Sequence, residues 1–129
     1  MNYDMTKTVD MTYEETVEKV TEELKNVGFG ILTTIDVKET FKKKLDREFK
    51  KYIILGACNP NLAYSALNSE IELGLLLPCN VIVYEETENK TVLSILNPEL
   101  MVSVAKDSEA LKEMSSKAKE LLSEVLTNV

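Results

Sequence analysis

Between residues 12 and 28 the apolar positions keep to one side of a helix. Tyr13, Val17, Val20, Leu24 and Val27 recur at steps of three and four, the spacing of an amphipathic stripe. Thr12 and Glu15 form a capping-box pattern at its start. Gly28, tolerant of left-handed backbone, stops it. A second stripe, Leu111, Met114, Ala118, Leu121, Leu122 and Val125, predicts a closing helix. Phe41, Leu45 and Phe49 step by four and predict a short helix over 38–49. Asn59-Pro60 sets an N-cap before a proline at the first helical position. It opens a helix over 60–70 with Leu62, Ala63, Ala66 and Leu67.

The other apolar runs are short and rich in β-branched residues. They predict strands at 2–9, 29–37, 52–58, 80–86 and 91–96, with a brief further pairing at 74–77. The polar turn over 86–90 joins the last two strands into a hairpin, and Asn97-Pro98 breaks the chain after it. Two long amphipathic helices thus bracket about five strands. That order predicts an α+β two-layer sandwich, with helices on one face of a mostly antiparallel sheet. With no linker, repeat or low-complexity segment, residues 1–129 read as a single domain.

The central strands are apolar on both sides. Ile53 and Leu55 oppose Ile54. Val81 and Val83 oppose Ile82 and Tyr84. Leu93 and Ile95 oppose Val92 and Leu96. A sheet covered on one face only alternates apolar with polar. The second face is therefore expected to be covered by a partner subunit, by extra helices or by a ligand, and a homodimer is the leading expectation.

Charge narrows the partners. The net charge of −7, from 15 basic and 22 acidic residues, disfavours phosphate backbones, so no nucleic-acid partner is expected. Residues 38–51 run against the trend: Lys38, Lys42, Lys43, Lys44, Arg47, Lys50 and Lys51 stand against Glu39, Asp46 and Glu48. This reads as the solvated face of a short helix; the alternative is a local site for an anion or acidic partner. No segment approaches the ~18 uninterrupted apolar residues of a spanning helix. The start of the chain lacks a basic region followed by an apolar one. No membrane partner is expected, and the location is expected to be cytoplasmic.

Composition also removes chemistry. The chain has no histidine, and so no Ser-His or Cys-His pair and no commonest zinc ligand. Two cysteines do not read as a disulfide framework, and 21 positions apart they form no Cys-x-x-Cys pair. Two thiolates alone cannot complete a tetrahedral zinc site, and the four glycines fit no phosphate loop. No cofactor and no metal are expected. Glu85-Glu86 reads as the solvated end of the hairpin. Met101 and Met114 read as core or helix contacts.

Two segments remain as candidates, Gly56-Ala57-Cys58-Asn59-Pro60 and Leu77-Pro78-Cys79-Asn80. Each sets a thiol beside an asparagine and a proline at a strand boundary. Cys58 precedes a helix N-terminus, where free N–H groups and the dipole lower a thiol pKa and attract anions; it is the catalytic candidate if there is one. On the simpler reading Asn59 is a helix cap and both cysteines are small buried hydrophobes. If the third and fourth strands are antiparallel neighbours, Cys58, Asn59, Cys79 and Asn80 gather around one spot as a ligand-binding site. If they are parallel, the thiols lie a strand length of ~20 Å apart.

These same segments carry a resemblance. Residues 52–60, with Leu62-Ala63 after them, and residues 74–84 resemble the signature of the domain-of-unknown-function family 302. Asn97-Pro98 and the flanking helices match in order. The resemblance implies an α+β fold similar to the TATA-binding protein, commonly dimeric, and it implies no established activity. Fold likeness does not bring DNA binding with it. The leading functional expectation is a homodimeric module that binds or senses a small-molecule ligand near the two Cys-Asn corners. The alternative is a thiol-dependent redox protein or enzyme using Cys58.

Overall fold

In the computed structural model, which describes residues 2–105 and 109–129, the capping box at Thr12 is closed from both sides. The Glu15 N–H donates to Thr12 Oγ1 at 3.1 Å, and the Thr12 N–H donates to Glu15 Oε1 at 3.4 Å. The helix that follows, α1 (Tyr13–Asn26), buries Thr16, Val20 and Leu24. Gly28 turns the chain away at φ 86°.

Strand β1 (Asp4–Val9) precedes α1, and β2 (Gly30–Asp36) follows it. Helix α2 (Val37–Leu45) starts on Asp36, whose side chain accepts from the Glu39 N–H. It stops at Asp46, which adopts the left-handed conformation at φ 53°. The helix thus ends four residues earlier than the apolar spacing predicts, because Phe49 belongs to the loop and not to a further turn. Next come β3 (Tyr52–Cys58), α3 (Pro60–Ser69), β4 (Cys79–Thr87), β5 (Lys90–Leu96), α4 (Glu99–Val104) and α5 (Glu109–Asn128).

The five strands form one antiparallel sheet in the order β1-β5-β4-β3-β2. The brief pairing expected at 74–77 is absent. Residues Ile71–Leu76 instead form a 3-10 helix with Leu73 buried and Leu75 exposed. The free edges of the sheet are the outer sides of β1 and β2; this segment joins neither and packs beside α3. Helix α4, which the sequence pattern does not announce, packs on α5.

Helices α1 and α5 cover one face of the sheet. The core beneath them joins Val20, Leu24 and Leu122 to Leu55, Val81, Val83, Leu93 and Ile95. A second cluster, Ala66, Leu73, Met101, Leu111 and Met114, forms where α3, the 3-10 turn, α4 and α5 meet. The opposite face has a different cover. Phe41 of α2 meets Phe49 edge-on at 5.1 Å; Phe49 leans on Tyr52; Tyr52 stacks on Tyr84 at 5.4 Å. That aromatic row closes one corner. Ile54, Ile82 and Leu96 remain half-exposed, and Ile35 is 47% exposed.

Gly56 marks a close approach within this face. A Cβ there would overlap the Thr33 hydroxyl and stand 2.8 Å from Pro78 Cγ. Overpacking of this kind costs about 1–3 kcal/mol. Gly56→Ala is therefore expected to lower the urea midpoint by that equivalent, and an unchanged midpoint would show that the notch gives way freely.

Candidate functional site

The β3–β4 pairing brings the two cysteines together. The strands run antiparallel with Ala57 opposite Cys79 and Gly56 opposite Asn80. Cys58 therefore sits one step beyond the partner of Cys79, at the same end of the sheet. Both cysteines are free thiols.

Cys58, Asn59 and Cys79 line one narrow crevice of about 30 Å³, room for one or two waters. It lies at the seam between the two cores. Phe29, Ala57 and Ala118 border it from the core under the sheet; Ala66, Met101 and Met114 border it from the second cluster. Leu62 packs against both clusters and borders the crevice too. The space exists because the elements meeting there present alanines, Ala57, Ala63, Ala66 and Ala118, where larger side chains would fill it. Asn59 is the one amide among the lining residues, and Cys58 and Asn59 are half-exposed while Cys79 is buried.

Asn59 is committed to structure. Its Oδ1 accepts from the Leu62 N–H at 3.2 Å, capping α3. Its Nδ2 lies 3.1 Å from where a Gly28 Cβ would stand, so Gly28 serves both the turn and this approach. The helix terminus offers a thiolate little: Pro60 has no N–H, and the Leu62 N–H is taken. Burial, with Cys58 nearby adding to it, pushes the Cys79 thiol up to about 11, so it is a neutral thiol at pH 7.

Asn80 does not join the group. It follows Cys79 on the strand and points to the opposite face by the alternation of side chains. There it borders a separate shallow hollow of about 130 Å³ with Ile82, Ser94 and Leu96. The expected gathering of four residues around one spot is thus a gathering of three. Met101 and Met114 complete the crevice from α4 and α5. The apolar stripe of the last helix located Met114, but no signal in the sequence placed either methionine beside the cysteines.

The basic run of residues 38–51 is paired within itself and with its neighbours. Lys42 reaches Asp46 at 2.9 Å and Glu48 at 3.2 Å, Lys43 reaches Glu39 at 2.6 Å, and Lys51 reaches Glu14 at 2.8 Å. It is a solvated face whose charge is partly paired. Among the described residues no helix is long and apolar enough to cross a membrane.

The DUF302 profile, a domain of unknown function, matches residues 5–129. This chain belongs to the DUF302 family. The crystal structure of an uncharacterized conserved DUF302 protein from Bacillus stearothermophilus is similar at a TM-score of 0.89 and 32% identity, over 99% of this chain and 98% of that one. No curated protein matches the chain. For this DUF302 chain, then, the crevice geometry is the main guide to chemistry.

Two outcomes follow for the thiols. With a chromogenic disulfide at neutral pH, Cys58 is expected to react first. Cys79 should react slowly until the fold opens or the pH nears about 11. Equal native rates would contradict its burial. The same shift has a sign for stability. The unfolded thiol releases its proton near the ordinary 9.0, while the folded one holds it to about 11. The contribution is therefore present below pH 9 and lost as the pH rises toward 11. Cys79→Ala should flatten that alkaline decline in urea melts, and an unaltered slope would show that other groups cause it.

Proposed function

We propose that this DUF302 protein is a cytoplasmic, homodimeric module that binds or senses a small ligand seated in the crevice at Cys58, Asn59 and Cys79. The observation that carries the reading is the crevice itself: an unfilled seam between two cores, with a half-exposed mouth at Cys58 and Asn59. Ordinary cores close such seams, since interiors pack to near-crystalline density. A ligand of a few heavy atoms restores the missing contacts.

The dimer is assigned to the bare sheet face of Ile35, Ile54, Ile82 and Leu96, with Asn80 and Ser94 as its polar centre. Two copies that each carry −7 can meet only where charge is sparse. In this face's middle rows, Ile35-Ile54-Ile82-Ser94-Thr6 and Thr33-Gly56-Asn80-Leu96-Asp4, the one ionisable side chain is Asp4, on the edge strand. Five strands ~4.8 Å apart and ~24 Å long make a face of roughly 570 Å². Less the corner that the aromatic row closes, two copies together stay below the ~1,200 Å² of standard interfaces, in the range of weak, transient pairs.

A thiol-redox role for Cys58 draws support from the nearness of Cys79. The burial of Cys79 counts against it, since a neutral, enclosed thiol is a poor partner in exchange.

Sedimentation is expected to give a dimer of the 14.5 kDa chain. Ile82→Lys should weaken it at least ~100-fold, the effect of burying an unpaired charge at an interface centre. A concentration-independent wild-type monomer overturns the dimer. For the crevice, pressurised xenon should shift the methyl resonances of Met101 and Met114 and leave Met5 unmoved; no shift at any pressure overturns the ligand site.

A further inference from the structure

The bare face of the sheet holds an acid and a base well apart, and among the described residues neither finds its counterpart within the chain. Asp4 is exposed on the edge strand β1, in the row of Leu96, Asn80 and Gly56. Its carboxylate accepts from the Thr6 hydroxyl and meets no lysine or arginine. Thr6 in turn shares a hydrogen bond with Ser94 at 2.7 Å. At the corner closed by the aromatic row, the Lys50 ammonium lies 5.4 Å from the centre of the Tyr84 ring and reaches no carboxylate. Tyr84 shares its face with Asn80 and Ile82 by the alternation of side chains, so Lys50 stands on the same side of the sheet as Asp4. Asp4 and Tyr84 are two strands and four residues apart in the register, roughly 17 Å in a flat sheet. Exposed charges are screened over ~8 Å at physiological salt, so one copy does not neutralise its own pair.

We propose that this face receives a second copy of the chain through two reciprocal ion pairs, Asp4 of each copy with Lys50 of the other. The proposal rests on the reading of the bare face as the dimer surface, and it fixes how the two copies are set. In a face-to-face pair, the two-fold axis that exchanges these two charges passes over their midpoint. The strand midway between β1 and β4 is β5, and the row midway between Asp4 and Tyr84 is that of Thr6, Ser94 and Ile82. The position that meets both conditions is Ser94. The axis thus crosses the uncharged middle of the face beside Asn80 and Ile82, and the strands of the two sheets cross at a steep angle, near the orthogonal class of sheet packing. An isologous contact repeats each pairing twice, so one acid and one base per copy make two bridges. Exposed ion pairs add little affinity, but they fix register and select the partner. A face whose area supports only a weak pair depends on that selection. The basic run that ends at Lys50 and Lys51 thereby finds an acidic partner in a chain of −7.

Charge exchange on the full chain, read by sedimentation at low salt, tests the pairing. Asp4→Lys and Lys50→Glu should each weaken self-association at least ~10-fold, because either one sets like charges together at both contacts. An equimolar mixture of the two variants should associate about as tightly as the wild type, since a mixed pair has opposite charges at both contacts. Both substitutions alter exposed side chains, and recovery on mixing shows at once that both chains are folded. Added salt should loosen the wild type and the mixture alike. If the wild type dimerises, Ile82→Lys breaks it and neither charge reversal matters, the face stands as the dimer surface and the ion pairs are wrong. If each variant is weakened but mixing restores nothing, the two charges do not meet and the pairing is overturned. A wild type that stays monomeric at every concentration removes the dimer reading and the pairing together, and leaves the face to a different partner.

Discussion

The antiparallel pairing of β3 with β4 is the contact on which the rest of the molecule depends. It runs through the middle of the sheet, with Leu55 opposite Val81 and Ile53 opposite Val83, and it places the densest apolar rows under α1 and α5. It also turns the long connection from Cys58 to Cys79 into an excursion that leaves and returns at one sheet end. Residues 59–78, comprising α3 and the 3-10 turn, add no strand to the sheet; α3 packs on α5 and the turn on α3. A second core follows from that detour, and so does a seam between the two cores.

The seam is a packing compromise. The sheet core is built on rigid strand rows; the second cluster is built on three short elements, α3, the 3-10 turn and α4, gathered around α5. Alanines at Ala57, Ala63, Ala66 and Ala118 let α3 approach the sheet end and α5, yet leave a gap that no side chain fills. Sulfur residues at its border suit the place physically, being polarizable and adaptable.

The two faces of the sheet divide the labour. One is sealed by α1 and α5 and holds Cys79; the other carries Asn80, Ile82 and the aromatic row from Phe41 to Tyr84. On an acidic chain the second face stands out for its sparse charge, and its lysine-rich neighbour α2 holds Lys42 and Lys43 in ion pairs at the periphery.

Local signals were enough for much of this. The capping box at Thr12 and Glu15, the stop at Gly28, the cap at Asn59 before Pro60 and the hairpin after Glu86 each act within one turn of chain, so neighbouring residues determine them. The hairpin after β4 and the short, β-branched strands made an antiparallel sheet, and hence adjacent cysteines, the better expectation. Other features needed distant contacts. Residues 71–76 are apolar enough for a strand, and it is the burial of Leu73 in the second cluster that accompanies their 3-10 turn. Met101 and Met114 lie far along the chain from the cysteines, and only the docking of α4 and α5 brings them to the crevice. The faces were hidden most deeply. Alternation shows that Cys79 and Asn80 point opposite ways, but Ile54 and Ile82 are as apolar as Leu55 and Val81, so no pattern says which side the helices take. Tertiary packing decided it: α1 and α5 sealed one face, and the choice assigned Cys79 to the crevice and Asn80 to the open sheet.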